Sequence, residues 1–176
     1  QDVNKLKETL ETLQKENPAA VSRVPDVIPA WLGLQAYGMK DLETADKYMT
    51  WATQNDQLQN VKKVIWRNLA KVRLALKKYD RALVASNNFL KVEDQPYRRA
   101  DGMLDKASIL LGLGKYAEAR KTAEEALALG VEGPLMASLK IVLGDISYAE
   151  KKFDEAAKHY GVTAELFVND AELKPK

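Results

Sequence analysis

The stretch LGDISYAEKKFDEAAKHY, residues 143–160, sets Gly144 twelve positions ahead of a second small residue, Ala156, with the aromatic Phe153 three positions before that alanine. The arrangement occurs three more times upstream. Gly33, Ala70 and Ala107 stand where Gly144 stands; Ala45, Ala82 and Ala119 stand where Ala156 stands; Leu42, Tyr79 and Tyr116 stand where Phe153 stands. Successive alanines are 37 residues apart. A fixed period of this size marks a stack of similar units, each unable to bury its apolar face alone. A plain helical bundle would also show Leu/Ala periodicity, but it would not hold small and large residues in one register four times.

Working outward from these positions, each unit reads as two helices. The expected spans are about 26–37 and 42–54, 61–77 and 80–92, 97–113 and 117–129, and 135–150 and 154–168. Asp26 is a candidate N-cap, and Pro29 is tolerated because the first turn has no use for its missing N–H. Gly38 closes the first helix, Asn55-Asp56-Gln57 and Glu93–Pro96 read as loops, Gly130 and Gly133-Pro134 end the third pair, and Asn169-Asp170 breaks the last helix. Upstream, Leu6, Leu10 and Leu13 share one face of a leading helix that Pro18 terminates. No segment alternates apolar and polar residues with β-branched enrichment, so strands are not expected. The expected fold is all-α, with nine helices forming a right-handed α-solenoid of antiparallel helix pairs. A leading helix occupies 1–18, four repeats occupy 25–168 (about 25–60, 61–96, 97–133 and 134–168), and 169–176 is a tail or the start of a further repeat. The leading helix fits the second half of an incomplete unit. The opening Gln1-Asp2, without an initiator Met, reads as a piece of a longer gene product. Leu166 and Phe167 are expected to be partly uncovered at the far end.

The repeat has a packing rationale. Two helices that cross closely leave no room for more than a methyl group, which the Gly/Ala positions supply. The large residue opening each second helix is expected to plug the gap beside the turn. Leu32, Leu69 and Leu143 fill the layer beside three of the small residues, and Lys106 departs from that pattern. These residues resemble the tetratricopeptide repeat (TPR). Leu143-Gly144, Phe153, Ala156 and Tyr160 follow its pattern, as do Trp66, Leu69, Ala70, Tyr79 and Ala82, then Ala107, Gly114, Tyr116, Ala119 and Ala126. The first unit matches with Leu42 in place of the aromatic. The family's usual period is about 34 residues, so these units are longer and resemble the TPR-like units of bacterial envelope-assembly proteins.

The composition excludes several function classes. Lys+Arg 27 against Asp+Glu 25 leaves a net charge of +2, far from the basic excess of a nucleic-acid binder. With no cysteine there is no disulfide framework, thiolate metal site or cysteine nucleophile, although that absence alone fixes no compartment. Repeat length and lack of cysteine lean together towards an exported, periplasmic bacterial protein. No apolar run is long enough to span a membrane. His159 is the only histidine and cannot anchor an ordinary zinc site by itself; it reads as a rim residue. Gly112-Leu113-Gly114-Lys115 lacks the phosphate-loop spacing and coincides with the turn between two helices. No nucleophile–base pair can be named, so neither an enzyme nor a cofactor site is expected.

The stretch VKKVIWRNLAKVRLALKKY, residues 61–79, carries seven cations and no acid. Arg67 and Lys71 share a face. In the TPR pattern that face lines the concave groove, where Leu34, Tyr37, Leu104, Ser108, Ile141, Asp145 and Tyr148 would join them. The other reading pairs Arg67 and Lys71 with Asp101 and Asp105. The lysine/asparagine carboxylate clamp of chaperone-binding TPR domains is not reproduced. The resemblance implies a protein-interaction scaffold that takes a peptide or partner subunit in its groove. The alternatives are a segment that stacks or self-associates through its repeat ends, or a docking arm of a larger enzyme.

Overall fold

The computed structural model describes residues 3–21, 23–54 and 59–172, leaving aside the side chains of 59–61 and 165–172. Among these residues there are ten helices and no strand: α1 (Val3–Glu16), α2 (Pro18–Val21), α3 (Val27–Gly38), α4 (Leu42–Ala52), α5 (Gln59–Ala75), α6 (Tyr79–Val92), α7 (Pro96–Gly112), α8 (Tyr116–Leu127), α9 (Gly133–Ala149) and α10 (Phe153–Glu172). The tenth helix is α2, a single turn after Pro18 opened by the Asn17 side chain accepting from the Ala20 N–H. Two other expectations are corrected. Gly133-Pro134 opens α9, because proline suits the first helical turn. Asn169-Asp170 does not break α10, since helix propensity is a weak local term and neither residue blocks the backbone hydrogen bond. The expected loop 55–57, the exposure of Leu166 and Phe167, and the tail 173–176 lie outside the described residues. Two compact units divide the chain, residues 1–78 and 79–176.

One turn recurs in every hairpin. Lys40, Lys77, Gly114 and Lys151, again 37 apart, adopt left-handed φ of 62°, 57°, 72° and 62°. The next residue's N–H donates to the carbonyl five positions back: Asp41 to Ala36, Lys78 to Arg73, Lys115 to Leu110 and Lys152 to Ser147, at 2.8–2.9 Å. This is a Schellman closure, which satisfies carbonyls left open at a helix end. Only the third turn places glycine where glycine is conformationally suited. In the first hairpin the Asp41 carboxylate also caps α4, accepting from Thr44 N–H at 3.2 Å.

The turn sets which side chains meet within a hairpin. Ala45, Ala82, Ala119 and Ala156 are all buried. A Cβ on Gly33 would run into Cγ and the backbone nitrogen of Met49, and one on Gly144 into the Tyr160 ring. The glycine therefore faces the residue one helical turn beyond the expected alanine. In unit 1, α1 lays Leu10 against Leu32, Tyr48 and Trp51, with Leu6, Val24 and Ile28 around them. Glu11 pairs with Lys47 at 3.0 Å. Unit 2 has one continuous core from Ala100 to Ile146, drawn from α7, α8 and α9. Beside it, the buried Glu93 carboxylate accepts from the N–H groups of Asp94 and Gln95, tying down the turn into α7. Lys106 is half-buried at the edge of its layer.

Between hairpins, one register carries three chemistries. In unit 1, Arg73 Nε of α5 donates to Asp46 Oδ1 of α4 at 2.7 Å, and its guanidinium reaches Thr50 Oγ1 at 2.7 Å. Lys78 adds a bond to Asp46 Oδ2 at 3.0 Å. The equivalents of Asp46 and Arg73 one repeat on are Leu83 and Leu110, and Leu83 packs on the core that contains Leu110. One further repeat on, Arg120 of α8 donates to Ser147 at 3.2 Å and to Glu150 and Glu155 at 2.7 and 2.6 Å. Burial pushes the Asp46 carboxyl's pKa up, but the hydrogen bonds from Arg73 and Lys78 outweigh this and hold it below the ordinary aspartate range.

One plug expectation fails at the chain's last hairpin. Tyr79 is half-buried against α7, since a Cβ on Gly112 would strike its ring. Tyr116 packs against the unit 2 core. Phe153 is 57% exposed. What covers Tyr79 is the first helix of the following hairpin, not its own turn.

Two outcomes check this account. Ala119→Leu should lower stability by about 1–3 kcal/mol or more, because overpacking forces helices apart, while Glu124→Leu on the exposed side of α8 should change it by less than about 0.5 kcal/mol. Thermal melts showing equal small shifts would overturn the register. Second, Asp46→Ala should cost about 1.5–3 kcal/mol, the scale of hydrogen bonds to a charged group, by removing the carboxylate that Arg73 and Lys78 both bond. Asp46→Leu with Arg73→Leu, which copies the Leu83/Leu110 pair, should recover most of it. The lowered folded-state pKa of Asp46 stabilises above its unfolded value of about 3.9 and is lost as pH falls through the folded value. The double-leucine variant should lack that share of acid sensitivity in melts between about pH 5 and 2.

Candidate functional site

Each first helix presents one stripe in the same register: residues 27, 30, 34 and 37 on α3, 64, 67, 71 and 74 on α5, 101, 104, 108 and 111 on α7, and 138, 141, 145 and 148 on α9. A spacing of three and four keeps such residues on one face. Helix α3 packs beside α5, and α7 beside α9, so each unit presents two adjacent stripes.

In unit 1 the exposed apolar members are Val27 (51%) and Val64 (49%), one repeat apart, with Trp31 beside Val27 (41%). Leu34 and Tyr37 on α3, and Arg67 and Lys71 on α5, are half-buried. Arg67 and Lys71 each engage other groups. The acid-free run is partly explained by its neighbour α4: Arg73 and Lys78 are spent on Asp46 and Glu43. It is the cationic half of a helix–helix contact as well as a basic face.

In unit 2 the open residues are Tyr148 (62%) and Ile141 (37%) on α9, and Tyr97 (62%) at the start of α7. Leu104 leans against the core. Ser108 donates its hydroxyl to the Leu104 carbonyl at 3.1 Å, within its own helix. Asp145 accepts from the Tyr160 hydroxyl at 2.8 Å. Burial and then that hydrogen bond to Asp145 push the Tyr160 phenol up to about 12, so it stays a donor. The Tyr148 ring stands edge-on to Phe153, centroids 5.4 Å apart. Of the five expected unit 2 residues, Tyr148 and Ile141 are open, Leu104 leans on the core, Ser108 bonds within its own helix, and Asp145 is held by Tyr160.

Val27, Trp31, Val64 and Tyr97 are the exposed residues that the sequence reading missed. The signal was present for two of them, because Val27 and Val64 stand 37 apart in the stripe's own register. The remaining chemistry is sparse. His159 lies half-buried with Nε2 3.8 Å from Glu155. Burial first, then Lys140 and Arg120, hold its pKa below the ordinary histidine value despite Glu155. Among the described residues no cluster of His, Cys, Asp or Glu could hold a metal, and no helix is long and apolar enough to cross a membrane.

No curated protein sequence matches the chain closely enough to count as a relative. Several solved structures match its fold. The crystal structure of MamA aligns at 15% identity with a TM-score of 0.68, over 93% of this chain and 87% of that one. BtubC (BKLC) from P. vanneervenii aligns at 16% identity and 0.71, over 99% and 83%. The apo form of RapI aligns at 17% identity and 0.68, over 97% of this chain and 50% of that one. At such identities the likeness is one of fold. The sequence pattern of the tetratricopeptide repeat matches residues 104–164, which cover the end of α7, the whole of α8 and α9, and most of α10. Residues 104–164 are thus similar to the tetratricopeptide repeat, and the fold of the chain is similar to that of these neighbours.

Proposed function

We propose that this chain is a non-enzymatic scaffold that seats an extended or helical peptide, or a partner subunit, on the exposed face of its first helices. Tetratricopeptide repeats generally mediate protein–protein interaction. The observation that supports this use here is the pair Val27 and Val64: one repeat apart, on adjacent helices, both half-exposed. An exposed apolar residue is ordinary, whereas exposed apolar residues recurring in the stripe that faces a ligand in this architecture are not. Trp31 adds the large flat side chain that commonly dominates binding energy. Arg67 and Lys71 give the unit 1 face its charge, so the ligand it fits is apolar with acidic residues or a free C-terminal carboxylate. The unit 2 face, with Asp101 and Asp145 among Tyr97, Ile141 and Tyr148, calls for an apolar ligand without excess acid.

A random-peptide display selection on the whole chain tests this. It should enrich acidic, apolar sequences whose binding weakens as salt rises, since exposed charges are screened over about 8–10 Å at physiological ionic strength. Arg67→Glu with Lys71→Glu should abolish that binding at unchanged helical content, and Trp31→Ala should weaken it by about tenfold or more, the loss typical of a buried anchor. If the charge reversal lowers the melting temperature and leaves peptide binding intact, the two cations serve packing and the proposed ligand face is wrong.

A further inference from the structure

His159 is the only histidine of a chain without cysteine, so it is the one side chain whose ordinary pKa lies between about pH 5 and 8. It stands on the inner side of α10, in the register of Tyr48, Ala85 and Thr122, all three buried. Around it, three helices of unit 2 are joined by charge. Arg120 lies at the seat that α8 offers to α9, where it donates to Ser147 and Glu150 of α9 and to Glu155 of α10. Both acids are therefore in use, Glu150 by Lys152 as well. The imidazole Nε2 is 3.8 Å from Glu155, longer than a hydrogen bond, in a side chain only 20% exposed. The charged groups that bear on it are Glu155 on its own helix, Arg120 on α8 and Lys140 on α9. A proton on His159 would add a third cation to two others, and the nearest carboxylate is already bonded to Arg120 at 2.6 Å. The residue also anchors its surroundings. Its carbonyl accepts from the Thr163 hydroxyl, and its neighbour Tyr160 donates to Asp145 of α9.

We infer that His159 is a pH-sensitive latch: neutral, it lets the Arg120 network hold α10 against α8 and α9, and protonated, it loosens that hold. Burial first, then Lys140 and Arg120, keep the histidine's pKa below its ordinary value and outweigh Glu155. The docked helix therefore disfavours the proton, whereas a released helix, open to water, takes it at about 6.5. Docking is at full strength above that value, weakens as pH falls through it, and levels off below the docked-state pKa. The carboxylates of the network titrate lower, since hydrogen bonds from Arg120 and then Lys152 hold Glu150 below the ordinary glutamate range. Loosening α10 withdraws the Tyr160 hydroxyl from Asp145, a member of the stripe on α9. What that does to a ligand rests on the function proposed above, whereas the latch itself does not.

Proton NMR of the whole chain reads the latch directly, because a single histidine gives a single imidazole titration. Its midpoint should lie below about 6.5, and Lys140→Gln, which removes one opposing cation, should raise it. Hydrogen exchange reads the consequence. Protection factors, corrected for the intrinsic pH dependence of exchange, should fall about twofold or more in residues 156–163 between about pH 7.5 and 5.5 and stay level in α7. His159→Gln keeps a polar side chain but cannot take up the proton, so it should abolish that fall at unaltered circular dichroism. A midpoint at or above about 6.5 in the unaltered chain would overturn the inference, whatever the variants do. So would α10 protection that stays level across the range, or a fall that persists in His159→Gln. All these readings are made without a ligand, so the latch and the peptide-binding face fail separately.

Discussion

Two helices joined by a short turn can lie against each other only where their side chains leave room, and in the hairpins α3–α4, α7–α8 and α9–α10, each inside one compact unit, that room is made at one level. Gly33 beneath Met49 and Gly144 beneath Tyr160 show how little is available: a single added methyl group would occupy space already filled by side chain or backbone. The buried alanines one turn away hold the second helix close along its length. The left-handed turn residue fixes the angle at which that helix leaves, and its N–H bonds to the preceding helix fix the distance. Everything further out depends on this geometry, including the seats between hairpins and the stripes on the first helices.

The contacts between hairpins obey a different logic. Within a hairpin the repeat is nearly uniform, whereas between hairpins the same register holds Asp46 with Arg73, Leu83 in an apolar core, and Arg120 with Glu150 and Glu155. A seat built around a buried charge rejects a helix that cannot pair it, because an uncompensated buried charge costs several kcal/mol. Near-identical units need such discrimination, since their shared core pattern alone would let one first helix dock on another's seat. The polarity of the charged seats is even reversed, acid on the second helix in one and arginine in the other. Specificity of this kind arises from what each seat refuses as much as from what it accepts.

The fold was legible in the sequence because its determinants are local and repeated. Four alanines, four plugs and four small residues in one register define the hairpins and place their turns within a residue or two. The short helix α2 was not legible, because one turn of four residues has no periodicity to show. Phe153 was misjudged for a physical reason: a plug looks the same in sequence whether or not another helix covers it, and the cover comes from the next hairpin. The candidate site was half legible. Register alone picks out the stripe 27, 64, 101 and 138, yet it cannot tell that Ser108 spends its hydroxyl on a carbonyl four residues back or that Asp145 is taken by Tyr160. Such bonds depend on rotamers and on neighbours from distant parts of the chain. The acid-free run had the same ambiguity, resolved for Arg73 and Lys78 only once α4 was seen beside them.

The recurring turn also determines where this chain can change length. Between second and first helices the connections are uneven, with six residues from α4 to α5, three from α6 to α7 and five from α8 to α9, and helix length compensates so that the period stays 37. The turns inside the compact units, at Lys40, Gly114 and Lys151, are fixed by their backbone bonds. One residue inserted there would rotate the following helix by about 100°, the step of a 3.6-residue helix, and swing its alanine from the contact to the solvent side. The hairpin turn therefore acts as a reading frame for the helix after it, tolerant of substitution and closed to insertion.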